Sequence, residues 1–228
     1  MLINADFSKR ASLLSKNHQW IQSPQTGVER VMLDRVGAEK ARATSLVRYA
    51  PDSYFPHHLH PGGEEILVLS GVFSADDQHY PAGWYLRNPP SSGHKPYSET
   101  GAVIFVKLWQ MPTDEATYVT IDTQDETNWH RKSDRSICPL FSSKHEQVCL
   151  QRIDDGAPLL AEPCHGGAEI LVVAGEILEA DMAYQSGSWL RLPHGEYVDI
   201  NAGSKGATVY LKTGHLIDII GLSLGDAV

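Results

Sequence analysis

The sequence has 228 residues, and its 19 basic and 28 acidic side chains give a net charge of −9. A charge of this sign argues against partners such as nucleic acids or anionic membranes, which attract basic surfaces. With 42% hydrophobic residues, 21% charged residues and three cysteines outside any CxxC spacing, the composition is that of an ordinary globular protein and excludes a disulfide scaffold.

The N-terminal segment, residues 1–19, shows no basic region followed by an apolar run, so we expect no signal peptide. No apolar run in the chain approaches the length of a transmembrane helix. We therefore expect a soluble, cytoplasmic protein. The chain is long enough to form one large domain or two small ones.

Short runs rich in β-branched, aromatic and aliphatic residues follow one another along the first half of the chain. Glycine, proline, serine and asparagine separate these runs at intervals of about eight to twelve residues, a spacing typical of an all-β sandwich or barrel. No helical period is sustained in this region. The runs that we predict to be strands are residues 43–49, 65–69, 84–86 and 103–109.

A cluster of potential metal ligands lies between the first two of these strands and continues into the second. His58 and His60 are two residues apart, so in an extended strand both imidazoles lie on the same face. The Pro-Gly-Gly sequence that follows favours a tight turn, which would bring Glu64 back beside the two rings. A second turn-rich stretch leads to His94. Together these residues predict a metal site with three imidazole ligands and one carboxylate ligand.

The spacing of these residues resembles the two sequence motifs of the cupin family. The first motif is matched by His58-x-His60-x3-Glu64-x6-Gly71, and the second by Gly83-x5-Pro89-x-Ser91-x2-His94, with serine where the family usually has glycine. The flanking residues, 62–69 and 80–83, are similar to those of the cupin domain of ChrR-type anti-sigma factors. The resemblance implies a double-stranded β-helix, or jelly roll, and implies that the two histidines of the first motif, its glutamate and His94 are metal ligands.

The second half of the sequence repeats the first. Residues 62–71 align with residues 166–175, 104 positions later, and the same offset aligns residues 80–89 with residues 184–193. A self-match over about sixty residues indicates a duplication. We therefore predict an all-β protein of two tandem cupin barrels. The predicted segments are an N-terminal segment at 1–19, a metal-binding barrel at 20–113, a linker at 114–129 with a candidate edge strand at 118–121, and a degenerate barrel at 130–228.

The duplication separates metal ligands from framework residues. At the positions aligned with the four predicted ligands, the second half has Glu162, Cys164, Ala168 and Val198. Residues of one metal site are lost together because a partial site binds poorly and leaves polar groups unsatisfied. Glu65 keeps its identity in the second half, so we predict that it is structural and that its neighbour Glu64 is the ligand. We predict no metal at the aligned position, and an improvised second site stays open as an alternative, formed by Cys164, His165, Glu169 and His194.

Three imidazoles and one carboxylate suit several divalent transition ions. We expect one ion per chain, with zinc first and iron, manganese or nickel as alternatives. Zinc in a closed shell of four ligands would make the site structural or sensory. Iron or manganese in a six-coordinate shell would keep two positions for water, substrate or dioxygen. The residue types are compatible with both geometries.

The resemblance to the ChrR-type domain implies a regulatory or sensory metal-binding protein, and a metal-dependent dioxygenase or related cupin enzyme is the alternative. In that family a zinc-dependent segment before the cupin holds a sigma factor. Residues 1–40 lack the His-x3-Cys-x2-Cys pattern of that segment, so we do not expect a sigma factor as partner. We expect a homodimer and a small-molecule ligand in the first barrel. The candidate residues for lining its pocket are Arg48, Tyr97, Phe105, Lys107 and Trp109.

Overall fold

The computed structural model describes residues 1–38, 40–196 and 198–220, and strands form most of their regular structure. Within these ranges the helical segments are two 3-10 turns, at Ser15–Asn17 and Glu126–Asn128. Strands of the first half are β1 (Leu2–Ile3), β2 (Ala11–Leu13), β3 (Ile21–Gln22), β4 (Val28–Gly37), β5 (Ala41–Tyr49), β6 (Ser53–Tyr54), β7 (His58–His60), β8 (Glu64–Ala75), β9 (Gln78–Pro81), β10 (Trp84–Asn88), β11 (Ser92–His94), β12 (Pro96–Ser98), β13 (Ala102–Leu108) and β14 (Val119–Asp122). They are followed by β15 (His130–Lys132), β16 (Arg135–Ser142), β17 (Gln147–Ile153), β18 (Ala168–Glu179), β19 (Met182–Gln185), β20 (Trp189–Leu192) and β21 (Asn201–Thr213). The predicted all-β class is confirmed.

In the described part of the chain, no helix is long and apolar enough to cross a membrane.

The chain divides into two compact units. The first unit consists of Met1–Ala5 and Gln19–Gln124 with Ile220, and the second consists of Asp6–His18 and Asp125–Ile219. The segment predicted at 1–19 is therefore divided between the two units, and most of the predicted linker belongs to the first unit.

The first unit is built from antiparallel strands. Its larger sheet has 11 strands with a main path β1-β4-β5-β13-β8-β10-β14, and β7 and β11 form a 2-stranded sheet. The central strand β8 pairs with β13 on one side and with β10 on the other. Alternate residues of β8 and β13, such as Ile66, Val68, Ile104 and Val106, pack into one apolar cluster. This cluster forms the core next to which the metal-ligand candidates lie.

The second unit repeats this arrangement in an 8-stranded antiparallel sheet with a main path β15-β16-β17-β21-β18-β20-β2. Strand β18 has the same 12-residue length as β8 and starts 104 positions later. Strand β19 follows β9 at the same offset. The duplication inferred from the sequence is thus present in the strands, and the two units are consistent with the predicted tandem barrels.

Each repeat is preceded by a short strand that pairs within the sheet of the other repeat. Strand β2, from the start of the chain, pairs with β20 and places Ser12 opposite Leu190. Strand β14, which precedes the second repeat, pairs with β10 and places Thr120 opposite Leu86. Because Leu86 and Leu190 are aligned in the two repeats, the two leading strands pair with equivalent positions of β10 and β20. The candidate edge strand in the predicted linker is confirmed as β14.

Candidate metal centre

Two adjacent short strands position three histidines. His58 and His60 are the first and last residues of β7, and His94 ends β11. The strands are antiparallel, with His94 opposite His58. The ring centroid of His58 lies 4.8 Å from that of His60 and 5.3 Å from that of His94, and the last two rings are 4.7 Å apart. The three imidazoles therefore converge on one point.

Glu64 joins this cluster through the turn that the Pro-Gly-Gly sequence predicts. The Gly63 N–H donates a hydrogen bond of 3.1 Å to the carbonyl oxygen of His60. The Gly63 φ of 76° is a conformation that glycine adopts readily. Glu64 Oε2 then lies 3.5 Å from Nε2 of both His60 and His94. One ligand atom from each of the four predicted residues lies within 4.8 Å of the others. Their role as ligands stays a prediction.

Hydrogen bonds around the cluster orient the atoms that could bind a cation. His58 Nδ1 lies 2.9 Å from the Pro56 carbonyl oxygen, and a proton shared there leaves Nε2 available to an ion. The side-chain amide of Asn88 donates to Glu64 Oε2 at 3.1 Å. Within the described residues, the buried Nε2 atoms of His60 and His94 make no hydrogen bond. Buried polar atoms without partners are costly, so this donor set fits a metal ion.

Burial sets the protonation of the cluster in the metal-free protein. Loss of solvent, reinforced by the neighbouring imidazoles, lowers the pKa of His60 to about 3 and the pKa of His94 to about 4. The same loss of solvent raises the pKa of Glu64 to about 7, although the hydrogen bond from Asn88 opposes it. Near neutral pH these two imidazoles are therefore neutral, whereas the Glu64 carboxyl is partly protonated.

We expect the metal affinity to rise as the pH increases towards about 7 and to level off above it. Below this pH an ion must displace the proton of Glu64, so binding should release about one proton per ion. Competition with a chromophoric chelator, at pH values on both sides of 7, measures how the metal affinity changes with pH. Glu64→Gln should weaken binding and reduce the pH dependence of the affinity; a pH dependence unchanged in this variant would contradict the assignment.

Glu65, the neighbour of Glu64, lies outside the cluster. Its side chain is buried, and its carboxylate accepts a hydrogen bond of 3.3 Å from the guanidinium of Arg87. The register places Arg87 opposite Glu65 on the paired strand β10. The structural role predicted for Glu65 agrees with this buried pair.

The four-residue cluster borders a cavity of about 460 Å³ in the first unit. His58, His60 and Glu64 are among the residues that line it. The remaining wall is largely apolar and includes Val28, Val47, Tyr49, Phe55, Ile104, Val106, Leu108 and Trp109. Concave sites of this size, with apolar walls and a few polar groups, are typical of small-molecule binding.

Of the five candidate lining residues, Trp109 lines this cavity and the others do not. Arg48 is held in an ion pair of 2.6 Å with a glutamate of β4. Phe105 and Lys107 are each 1% exposed and alternate along β13 with the residues that line the cavity. Their side chains therefore lie on the face of β13 that points away from the cavity. Tyr97 lines a separate, shallow groove.

Trp109 reaches the cavity through an unusual backbone conformation. Its φ of 59° is left-handed, and the aligned residue of the second repeat is Gly214, with a φ of 89°. Trp109 also packs so closely on Gly62 that a Cβ added there would lie 2.6 Å from it. A left-handed tryptophan costs about 1–3 kcal/mol. The first repeat thus places an aromatic wall where the backbone favours glycine.

The interior of the second unit is filled at the aligned positions. Ala168 and Val198 belong to its buried apolar cluster, and Cys164 packs against that cluster. His194 Nδ1 accepts a backbone N–H at 2.8 Å, and Glu169 accepts the indole N–H of the β20 tryptophan at 2.8 Å. Over residues 1–38, 40–196 and 198–220, ligand-type side chains gather into a potential metal site in the first unit alone. Whether the second unit binds an ion stays a prediction.

Comparisons with known proteins agree with this fold. Residues 8–112 match the family model of the ChrR Cupin-like domain. No curated protein sequence matches the chain.

Solved structures show the same architecture over most of the chain. A proposed dioxygenase from Nostoc punctiforme has a TM-score of 0.75 at 12% identity and covers 93% of this chain and 85% of its own. The bacterial pirin YhhW from Escherichia coli, in complex with nickel(II), has a TM-score of 0.67 at 10% identity, covering 90% and 98%. An oxalate decarboxylase variant from Bacillus subtilis has a TM-score of 0.63 at 12% identity, covering 90% and 77%. The chain therefore has a cupin fold and resembles, over residues 8–112, the ChrR Cupin-like domain.

Proposed function

We propose that the first unit is a metal-dependent enzyme of the dioxygenase type that acts on a small organic molecule. The observation that carries this proposal is the position of the four-residue cluster at the wall of the 460 Å³ cavity. A purely structural ion needs no cavity beside it, whereas a catalytic ion needs an open position that substrate can reach.

The cluster faces the cavity with three of its four members, which are His58, His60 and Glu64. A molecule in the cavity would therefore meet the ion directly. When bound, the ion would supply a Lewis-acid centre with positions for substrate and for dioxygen as the oxidant. Asn88 would orient the ligand Glu64, and the Pro56 carbonyl oxygen would orient the ligand His58. The apolar walls of the cavity would exclude bulk water.

The proposal bears on the identity of the ion. A six-coordinate iron, manganese or nickel ion with four protein ligands keeps two positions open. Zinc, the ion expected first from the sequence, fits the proposal only if its shell expands beyond four ligands. We therefore propose a divalent transition ion in an open shell.

The open shell can be tested without knowing the substrate. We expect that Mn(II), loaded into the metal-free protein, will enhance the relaxation of water protons through a water molecule that exchanges on the ion. The His94→Ala protein, which lacks a ligand, serves as the control for Mn(II) bound elsewhere. A closed four-coordinate site without an exchangeable water would contradict an enzymatic role. Metal-dependent oxygen uptake with a small organic molecule as substrate, abolished by His60→Ala, would identify the reaction.

A regulatory or sensory role is the second candidate, and the match of residues 8–112 to the ChrR Cupin-like domain favours it. Such a role would couple occupation of the cavity to the binding of a protein partner. It predicts ligand-dependent changes in association state without oxygen consumption. The oxygen-uptake measurement therefore separates the two roles.

A further inference from the structure

The cavity wall carries more cationic than acidic side chains, whereas the whole protein is acidic. The chain carries a net charge of −9. Among the described residues that line the cavity, however, the acidic one is the metal-ligand candidate Glu64, and the cationic ones are Arg30, Arg35 and Lys40. A cavity with cations in its wall and apolar residues between them favours an anion with an apolar body.

Arg30 is the cation best placed to bind such an anion. It lies on β4 opposite Val47, which also lines the cavity. Its side chain is partly buried, and its buried Nε makes no hydrogen bond within the described residues. By contrast, Arg35 donates to the Ala38 carbonyl oxygen. A buried guanidinium N–H without a partner is unfavourable, and a bound acceptor would satisfy it.

The second repeat provides an internal comparison. Arg30 pairs with Val47 on the neighbouring strand, and Ile137 pairs with Gln151 at the equivalent place. Val47 and Gln151 are aligned by the offset of 104 that relates the repeats. Ile137 therefore stands where the first repeat has Arg30. The repeat that has lost the metal-ligand set has also lost this arginine, as expected if both serve one site.

We propose that Arg30 binds the carboxylate of a small organic acid in the cavity, and that the apolar part of the acid, aromatic or branched, packs against the walls next to the metal cluster. This inference rests on the proposed function, because it names the class of molecule that the site accepts. A guanidinium binds a carboxylate through two parallel N–H···O bonds. The aromatic side chains of Tyr49, Phe55 and Trp109 supply matching surface for a planar body.

The test uses the full-length, metal-loaded protein and matched pairs of probes, which are benzoate with benzamide and phenylacetate with phenylacetamide. Each pair differs in charge and hardly in shape. Isothermal titration should show that the acids bind about 10- to 100-fold more tightly than the amides, as expected for hydrogen bonds to a charged group. Arg30→Met should remove this preference, and Arg30→Lys should retain part of it. Arg48→Met, which removes an arginine already paired outside the cavity, should leave the preference unchanged.

Two outcomes would overturn the inference. The first is that neither acid binds the wild-type protein more tightly than its amide. The second is that Arg30→Met keeps the full preference. Metal analysis of every sample distinguishes these failures from failure of the proposed function: a protein that holds its ion but ignores the charge of the probe contradicts the role of Arg30 alone. The comparison of acids with amides is repeated on the metal-free wild-type protein, in which no ion can coordinate the carboxylate. It needs no variant, so it stands even if Arg30→Met does not fold.

Discussion

The His94→Ala protein is expected to lose stoichiometric metal. The affinity should fall by at least the roughly 10- to 100-fold loss that follows removal of groups supporting metal ligands. His94 lies on a different strand from the other three members of the cluster, and its Nε2 lies 3.5 Å from Glu64 Oε2. Without this ring, the ion would keep two imidazoles and one carboxylate in a buried site. Elemental analysis of the purified protein, followed by chelator competition, measures the loss.

A matched control is available one position before the cluster. His57 is exposed and lies outside the group of converging ligand atoms, so His57→Ala should retain one ion per chain. Circular dichroism should show the same strand content in both variants, because His94 ends a strand of three residues in a 2-stranded sheet. Full metal occupancy in His94→Ala would refute the proposed ligand set, and loss of metal in both variants would show that the effect is not specific to the site.

The Lys212→Met protein is expected to be less stable than the wild type by about 3–5 kcal/mol. Lys212 Nζ lies 2.7 Å from Glu146 Oε2, and the two side chains are 1% and 6% exposed. Methionine preserves most of the volume of lysine but leaves the Glu146 carboxylate buried without its cation. The cost of that buried charge, rather than any loss of packing, should dominate the change. Urea unfolding measures the free energy of unfolding of both proteins.

Two further variants distinguish this explanation from a general sensitivity to the loss of positive charge. Arg131→Met removes one member of an exposed ion pair with Asp154, and we expect no resolvable change. Replacing both members of the buried pair, in Lys212→Met/Glu146→Leu, should restore most of the lost stability because neither charge of the pair is left. A small effect of Lys212→Met, or a double variant as unstable as the single one, would contradict the explanation.

The metal cluster and the duplication could be predicted from the sequence because both depend on short-range patterns. The i,i+2 spacing of His58 and His60 and the turn before Glu64 are local properties of the backbone. The internal alignment then separated Glu64 from Glu65 without any other sequence. The structure brings together the residues that this reasoning selected.

The residues of the cavity wall could not be predicted from the sequence in the same way. Arg30 reaches the cavity through the pairing of β4 with β5, a contact that no local pattern encodes. An alternating strand over the predicted range 103–109 would place Phe105, Lys107 and Trp109 on one face. The strand ends at Leu108, and the left-handed φ of 59° at Trp109 turns its side chain towards the cavity instead. A change of backbone conformation at a strand end reverses the assignment of faces.

The reciprocal pairing of β2 with β20 and of β14 with β10 has a consequence for a shortened chain. A fragment cut at residue 113 would hold β2 without β20 and β10 without β14. Strand β10 would then be an open sheet edge, and such edges pair with other chains. We expect this fragment to associate with further copies of itself, which light scattering would measure.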